Sequence, residues 1–335
     1  MSVTRQSAPA LRDITRMVAA VEVRSATSYL LNGRETLISG GKADELVMIT
    51  TLSNVFYSGF YCRPAPGRTQ MIDLGAGQDL GPALSRANCG VGAWESGWTV
   101  CGVEVDGRIA VRRNGLTVYA TPGHFRSCTG ALSLGEVGRL RLGKELFEAS
   151  PGFYMALGDC DQGDSRDDVI TVRMYWSLRS EGAVPFIEAV TRVLNRAKAP
   201  FRAKTLSHRW AYARADAAVI YIEKQKYLEV FLGLARLHGT LRGFLRESSP
   251  LFTKEIARGV GLAENPRTGE SFGQHRCRLV ALGVWRAFTR GQMRRSARCA
   301  HVLDAFQEAG LDPLRPYLGA ATAMDDYPRL DEARL

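Results

Sequence analysis

Between Ser248 and Arg278 the chain reads SSPLFTKEIARGVGLAENPRTGESFGQHRCR, and three chemically useful features crowd into it. Lys254 sits in a short apolar run, Leu251-Phe252-Thr253-Lys254-Glu255-Ile256. A Gly/Asn/Pro-rich loop is expected from Gly259 to Gly269. Ser271-Phe272-Gly273-Gln274 then has the Ser-x-x-Gln spacing of a capping box, which predicts a helix with Ser271 as N-cap and His275 and Arg276 close behind. A helix N-terminus offers free N–H groups and a partial positive charge, so with Arg276 beside it this is a candidate seat for a phosphate. The same pattern also describes an ordinary loop feeding an amphipathic helix.

The basic residues are unevenly chosen. Of 44, only Lys42, Lys144, Lys198, Lys204, Lys224, Lys226 and Lys254 are lysines. Arginine cannot surrender its proton whereas lysine can, so a lysine in an apolar setting hints at a titratable amine. Lys204 lies in a predicted strand, Phe201-Arg202-Ala203-Lys204-Thr205-Leu206, on the face opposite Phe201, Ala203 and Thr205. Arg173 lies in another, Val169 to Leu178, on one face with Thr171 and Tyr175.

Bulk properties narrow the class. The 335 residues suffice for about two domains or one large one, and 45% apolar with 23% charged residues is ordinary for a globular chain. No apolar run reaches the roughly 18 to 20 residues that span a bilayer, and the start, Met1-Ser2-Val3-Thr4-Arg5, lacks a signal-peptide pattern; no membrane partner and a cytoplasmic location are expected. The seven cysteines are scattered without a Cys-x-x-Cys pair, so neither a zinc cage nor a redox pair is expected, and with no Gly-x-Gly-x-x-Gly, Walker or His-Glu-x-x-His motif no metal or cofactor is expected. A formal charge of +10 invites a nucleic-acid reading. The basic residues are interleaved with carboxylates and form no run of five, so an acidic or phosphorylated partner explains the charge as well and nucleic acid is not expected.

Helical spacing marks residues 8–24, 43–62, 181–199, 226–247, a helix from Ser271 and 297–309. A loop is expected over 68–95, and a three-strand meander from Trp98 to Tyr119 is signalled by Asp106-Gly107 and Asn114-Gly115. Further strands are expected at 153–159, 169–178, 201–206 and 217–222. The expected class is α+β, with a mainly antiparallel sheet flanked by helices. The expected division is a helical and β-meander segment over 1–135, a main domain over 136–320 and a tail over 321–335.

The second half resembles the HopA-type effector family. The carriers are Phe153-Tyr154-Met155-Ala156-Leu157-Gly158-Asp159, Val172-Arg173-Met174-Tyr175-Trp176, Pro200-Phe201-Arg202-Ala203-Lys204 and Arg214-Ala215-Asp216-Ala217-Ala218-Val219-Ile220-Tyr221. Ser249-Pro250-Leu251-Phe252-Thr253-Lys254, Gly261-Leu262-Ala263-Glu264 and Ser271-Phe272-Gly273-Gln274-His275-Arg276-Cys277 complete them. The resemblance implies the lyase component of class V lanthipeptide synthetases and thioamitide pathways, with chemistry similar to the phosphothreonine lyases. Such an enzyme takes a ribosomally made precursor peptide, phosphorylated by a separate Ser/Thr kinase, and eliminates phosphate to leave dehydroalanine or dehydrobutyrine. The plant-pathogen members act in host cells, which keeps open a non-catalytic protein of the same fold that binds a phosphorylated or acidic partner.

Elimination needs a base for the Cα proton, an acid for the bridging oxygen and cations for the phosphate. On the resemblance, Lys204 is the candidate base and His275 the candidate acid, with Lys254 as acid or phosphate ligand. Arg173, Arg214 and Arg276 are the candidate phosphate clamp, because a guanidinium fork meets two oxygens at once. Tyr154, Tyr175 and Tyr212 are candidate substrate contacts. Each also has a structural reading: Lys204 as a snorkelling strand-end lysine, His275 as a buried hydrogen-bonded histidine, Arg214 as the ion-pair partner of Asp216, and the tyrosines as core.

Overall fold

The structure is a computed structural model that describes residues 9–38, 44–63, 79–113, 115–130, 132–161 and 169–333. Helix α1 (Pro9–Ala20) runs into a three-stranded meander, β1 (Val21–Ser25), β2 (Ser28–Leu31) and β3 (Arg34–Leu37). The predicted helix over 8–24 ends early because Val21 and Val23, buried and β-branched at a spacing of two, fit a strand. Helix α2 (Glu45–Phe56) is capped by the Asp44 carboxylate, which accepts from the Leu46 N–H, and winds into a π-helical turn over Tyr57–Tyr61. Helix α3 (Gly81–Ala87) occupies part of the expected 68–95 loop, of which residues 68–78 lie outside the described ones.

A five-stranded sheet follows: β4 (Ala93–Val103), β5 (Ile109–Arg113), β6 (Leu116–Ala120), β7 (Phe125–Ser127) and β8 (Val137–Leu142), in the order β6-β5-β4-β8-β7. The expected meander is its first three strands; Asn114 of the second turn lies outside the described residues. The rest of the chain builds a larger sheet from β9 (Glu145–Ser150), β10 (Phe153–Leu157), β11 (Thr171–Trp176), β12 (Phe201–Leu206) and β13 (Ala218–Glu223). Helix α4 (Ala183–Arg196) lies between β11 and β12, and α5 (Lys224–Glu229) and α6 (Phe231–Leu241) follow β13. The long helix predicted over 226–247 is thus two, parted at Val230, whose ψ of 11° is not helical.

A hairpin, β14 (Lys254–Ala257) and β15 (Val260–Glu264), takes the first part of the Gly-rich loop expected from Gly259 to Gly269 as its second strand. Its glycines disguise it. Gly259 takes the turn at φ +73°, and a Cβ there would strike the Arg246 carbonyl, while one at Gly261 would strike the Thr253 side chain. Helices α7 (Phe272–Thr289) and α8 (Arg295–Glu308) end the regular structure, and Ser271 caps α7 as predicted, accepting from the Gln274 N–H at 3.3 Å. The seven strands run β14-β15-β11-β13-β12-β10-β9, every pair antiparallel, so the chain is α+β as expected.

Strand alternation gives the large sheet two apolar cores. On one face Val172, Met174, Trp176, Ile220 and Leu262 pack against α4 and α6. On the other Tyr175, Val219 and Ala263 meet α7 and α8, which also bury Ile14, Met17, Met48, Leu52 and Phe56 from α1 and α2. The N-terminal helices therefore share one core with the C-terminal ones. At the α7–α8 crossing a Cβ on Gly283 would overlap the Val302 backbone. Gly283→Ala is expected to lower stability by about 1–3 kcal/mol through overpacking, read as a lower urea midpoint at unchanged m-value.

Candidate functional site

Cross-strand register decides which polar side chains share a face. Arg173 on β11 stands opposite Tyr221 on β13, Tyr221 opposite Arg202 on β12, and Lys204 opposite both Val219 on β13 and Met155 on β10. Arg173, Tyr175, Tyr221, Lys204 and Phe153 consequently project from the face that α7 covers. Cover is partial. Tyr175 is buried beside Phe272 and Tyr61, whereas Arg173, Tyr221, Lys204, Phe153 and Met155 are half-buried and Arg202 is exposed. The result is a groove between α7 with the Tyr57–Tyr61 turn and the open half of the sheet.

Three cations line this groove on a shared set of rings. The Lys204 ammonium lies 4.3 Å from the Phe153 ring centre and 5.8 Å from that of Tyr221. Arg173 lies 5.2 Å from the Tyr221 ring, and Arg214 5.9 Å from both Phe153 and Tyr57. Lys204 therefore shares Tyr221 with Arg173 and Phe153 with Arg214. Among the described residues its ammonium has no hydrogen bond or ion pair, only these ring contacts. Arg173 donates from Nε to Asn265 at 2.6 Å. Arg214 donates from Nε and Nη2 to the buried Asp216 carboxylate, both at 2.8 Å, and from Nη2 to the Tyr57 hydroxyl at 3.2 Å.

These contacts set protonation. Burial opposes the charge of Arg214, but its hydrogen bonds and attraction to Asp216 outweigh that and push its pKa up. Burial and then the Asp216 charge push the Tyr57 hydroxyl well above its ordinary value, with Arg214 opposing, so Tyr57 is a protonated donor at neutral pH. Burial pushes Tyr175 to about 12, against the pull of Arg173.

The structure places the other candidates elsewhere. Lys254 pairs in register with Leu262, so it leaves the sheet on the face opposite Arg173. Its ammonium is held by both oxygens of Asp325 at 2.8 and 2.9 Å and by the Tyr327 carbonyl at 2.7 Å. Tyr154 and Tyr212 lie in the core beneath α4, on that same far side. Tyr154 donates to Glu145 and accepts from Asn88, while Tyr212 bonds Thr205 and the Leu206 carbonyl. His275 is buried on α7 with Nδ1 turned to the Arg276 guanidinium. Burial, then Arg276 and Arg278, press its pKa down to about 4. Arg276 is 1% exposed and donates to the Pro316 and Leu318 carbonyls at 2.7 and 3.1 Å, leaving no fork for a phosphate. The physical reason is common to Lys254 and Arg276. The segment after α8 runs back over the molecule with only a 3-10 turn, Leu330–Glu332, and its backbone and side-chain groups need partners. Glu264 joins them, accepting from the Gly319 N–H and the Thr322 and Tyr327 hydroxyls.

Phe153, Tyr221, Asp216 and Tyr57 complete the groove in place of those residues. Phe153 was legible as a strand residue, but only the pairing of β10 with β12 tells that Phe153, not Tyr154, faces Lys204. Tyr57 carried a usable signal, the spacing Tyr57-x-x-x-Tyr61, which stacks the two rings with centroids 5.3 Å apart on one side of the turn.

A comparison with protein families matches residues 147–318 to the HopA1 effector protein family. The chain belongs to the HopA1 effector family. Among solved structures, an effector protein from Pseudomonas syringae pv. tomato strain DC3000 is similar at 19% identity, over 51% of this chain and 65% of that one, with a TM-score of 0.39. An effector protein from P. syringae pv. syringae strain 61 is similar at 17% identity, over 51% and 66%, with a TM-score of 0.38. This chain thus spans just under two thirds of either effector. No curated protein matches it. The HopA1 region holds Arg173, Lys204, Arg214 and the Arg276 contacts, whereas Tyr57 reaches the groove from outside it.

Two outcomes follow from the buried pair on α7. Because the folded pKa of His275 lies below its unfolded value of 6.5, folding is unpenalised above that pH and loses stability as pH falls from 6.5 through about 4. His275→Gln retains an acceptor for Arg276 and should flatten that part of the melting-temperature profile relative to the parent. Arg276→Ala strands the Pro316 and Leu318 carbonyls and should cost about 2–5 kcal/mol in urea titration, with protease cutting appearing in the segment after α8.

Proposed function

We propose that this HopA1-family protein is a lyase that eliminates phosphate from a phosphorylated Ser or Thr of a peptide. The observation that supports the reading is the placing of Lys204, an amine without a hydrogen-bonding or ionic partner among the described residues, on rings it shares with Arg173 and Arg214. With Lys204 unprotonated to serve as the base, Arg173 and Arg214 are the cations left to meet the phosphate, against the one carboxylate, Asp216. Neutral Lys204 takes the Cα proton. The electron pair forms the Cα–Cβ double bond, the Cβ–O bond breaks, and the bridging oxygen receives the Tyr57 proton as phosphate departs against Arg173 and Arg214. Arg214, 3.2 Å from the Tyr57 oxygen, steadies the phenolate until water reprotonates it. Tyr175 orders the floor of the groove beneath Arg173. The peptide would be a ribosomally made precursor and the phosphate the work of a separate kinase.

A second reading, binding without turnover, is favoured by one contact: Asp216 occupies two donors of Arg214 and so competes with a phosphate for that fork. Mass spectrometry of a phosphoserine or phosphothreonine peptide after incubation separates the two. Loss of about 98 Da reports elimination, about 80 Da hydrolysis, and no change with retained binding the second reading. Lys204→Arg keeps the charge but cannot act as a neutral base, so elimination should fall by about 10²-fold or more while phosphopeptide binding persists. Tyr57→Phe should lower kcat by a similar factor with little change in KM. A Tyr57→Phe protein at full rate would move the acid to another group.

A further inference from the structure

The five-stranded sheet carries a second, separate concentration of charge. Its inward face packs Trp98, Val100, Ile109, Val111, Phe125 and Leu140. Outward, Arg126 on β7 stands directly opposite Arg139 on β8, and Arg112 on β5 lies on the same face, all three exposed. Like charges directly opposed across strands destabilise a sheet unless an anion lies between them. No carboxylate among the described residues pairs with any of the three. Glu95 is held by Arg113, Glu136 accepts from Ser127 and Thr129, and Asp159 accepts from the Val91 and Gly92 N–H groups.

We propose that this outward face docks an acidic, extended peptide segment, with carboxylates over Arg126, Arg139 and Arg112 and an apolar side chain on Val137 between them. Val137 is 47% exposed and stands in register with Thr99, which in turn faces Arg112. Charge complementarity alone would admit a nucleic acid. Bases, however, bind such surfaces by stacking on free aromatic faces. Here the Arg126 guanidinium lies 4.2 Å over Trp94, and that of Arg108 lies 5.3 Å over one face of Tyr119, which is 54% exposed. An apolar step flanked by arginine forks instead suits an extended segment whose same-side residues read acidic, aliphatic, acidic, that is Glu-x-Leu-x-Glu.

The test is fluorescence anisotropy with a labelled, unphosphorylated twelve-residue peptide of the repeat Glu-Ser-Leu-Ser, whose Glu and Leu share one side when extended, read without turnover, so that its result is independent of any chemistry in the groove. Binding to the full chain is expected, falling steeply as salt rises. Arg126→Glu with Arg139→Glu should weaken it by about tenfold or more. The neutral pair Arg126→Gln with Arg139→Gln, whose melting temperature should match or exceed the parent's because the opposed charges are gone, should lie between. Undiminished binding by the charge-reversed protein overturns the proposal, as does failure of the peptide to bind. Tighter binding of a labelled single-stranded oligonucleotide of equal charge, with the same dependence on Arg126 and Arg139, overturns it in favour of nucleic acid.

Discussion

A strand cannot send two neighbouring side chains to the same side, and in a seven-stranded antiparallel sheet that rule binds every strand to its neighbours. Once Val172, Met174 and Trp176 are committed to the core under α4, Arg173 and Tyr175 must go the other way. Register then carries the same choice to Tyr221, Lys204 and Phe153. Arg173 and Lys204, 31 positions apart in sequence, are gathered by this propagation with no local motif to announce them, and Arg214 joins them from the loop ahead of β13. A one-residue slip of β12 against β13 would bury Lys204 under α4 and hand its place to Thr205.

Buried charge outside the groove serves the packing of the chain. Arg276, Glu264 and Lys254 each lose most of their water, which is tolerable only because every one of them meets several groups of the segment after α8. Arg276 also lies over the Phe272 ring at 4.7 Å, so its apolar plane is used along with its edge. These residues look like a phosphate site in one dimension because a lysine, a histidine and an arginine near a glycine-rich stretch are the same letters whether they face an anion or a run of carbonyls.

The sequence therefore told more about elements than about partners. Periodicity and turn residues located the meander, the strands of the large sheet and the capped start of α7, because those signals are local. The β14–β15 hairpin was hidden since its glycines answer to close contacts with Arg246 and Thr253 that no local pattern reveals. Arg173, Lys204 and Arg214 were legible as a set only with the help of resemblance, and they do converge in space. Tyr57 was passed over because its role depends on Asp216, 159 residues away. Tyr154 was chosen over Phe153 because hydroxyls look more useful than phenyl rings until a cation is found above one.

The shared core of α1, α2, α7 and α8 bears on how the molecule comes apart. Phe56 and Leu52 from one end of the chain and Val280 and Val284 from the other exclude water together, within a core that α1, α8 and the sheet also close. Amides in α2 and α7 should then exchange with solvent through a common opening rather than as separate units, since unzipping either helix bares both. Tyr57 sits one residue past the end of α2, so the groove inherits that cooperativity: its donor is in place only while the two ends of the chain hold each other.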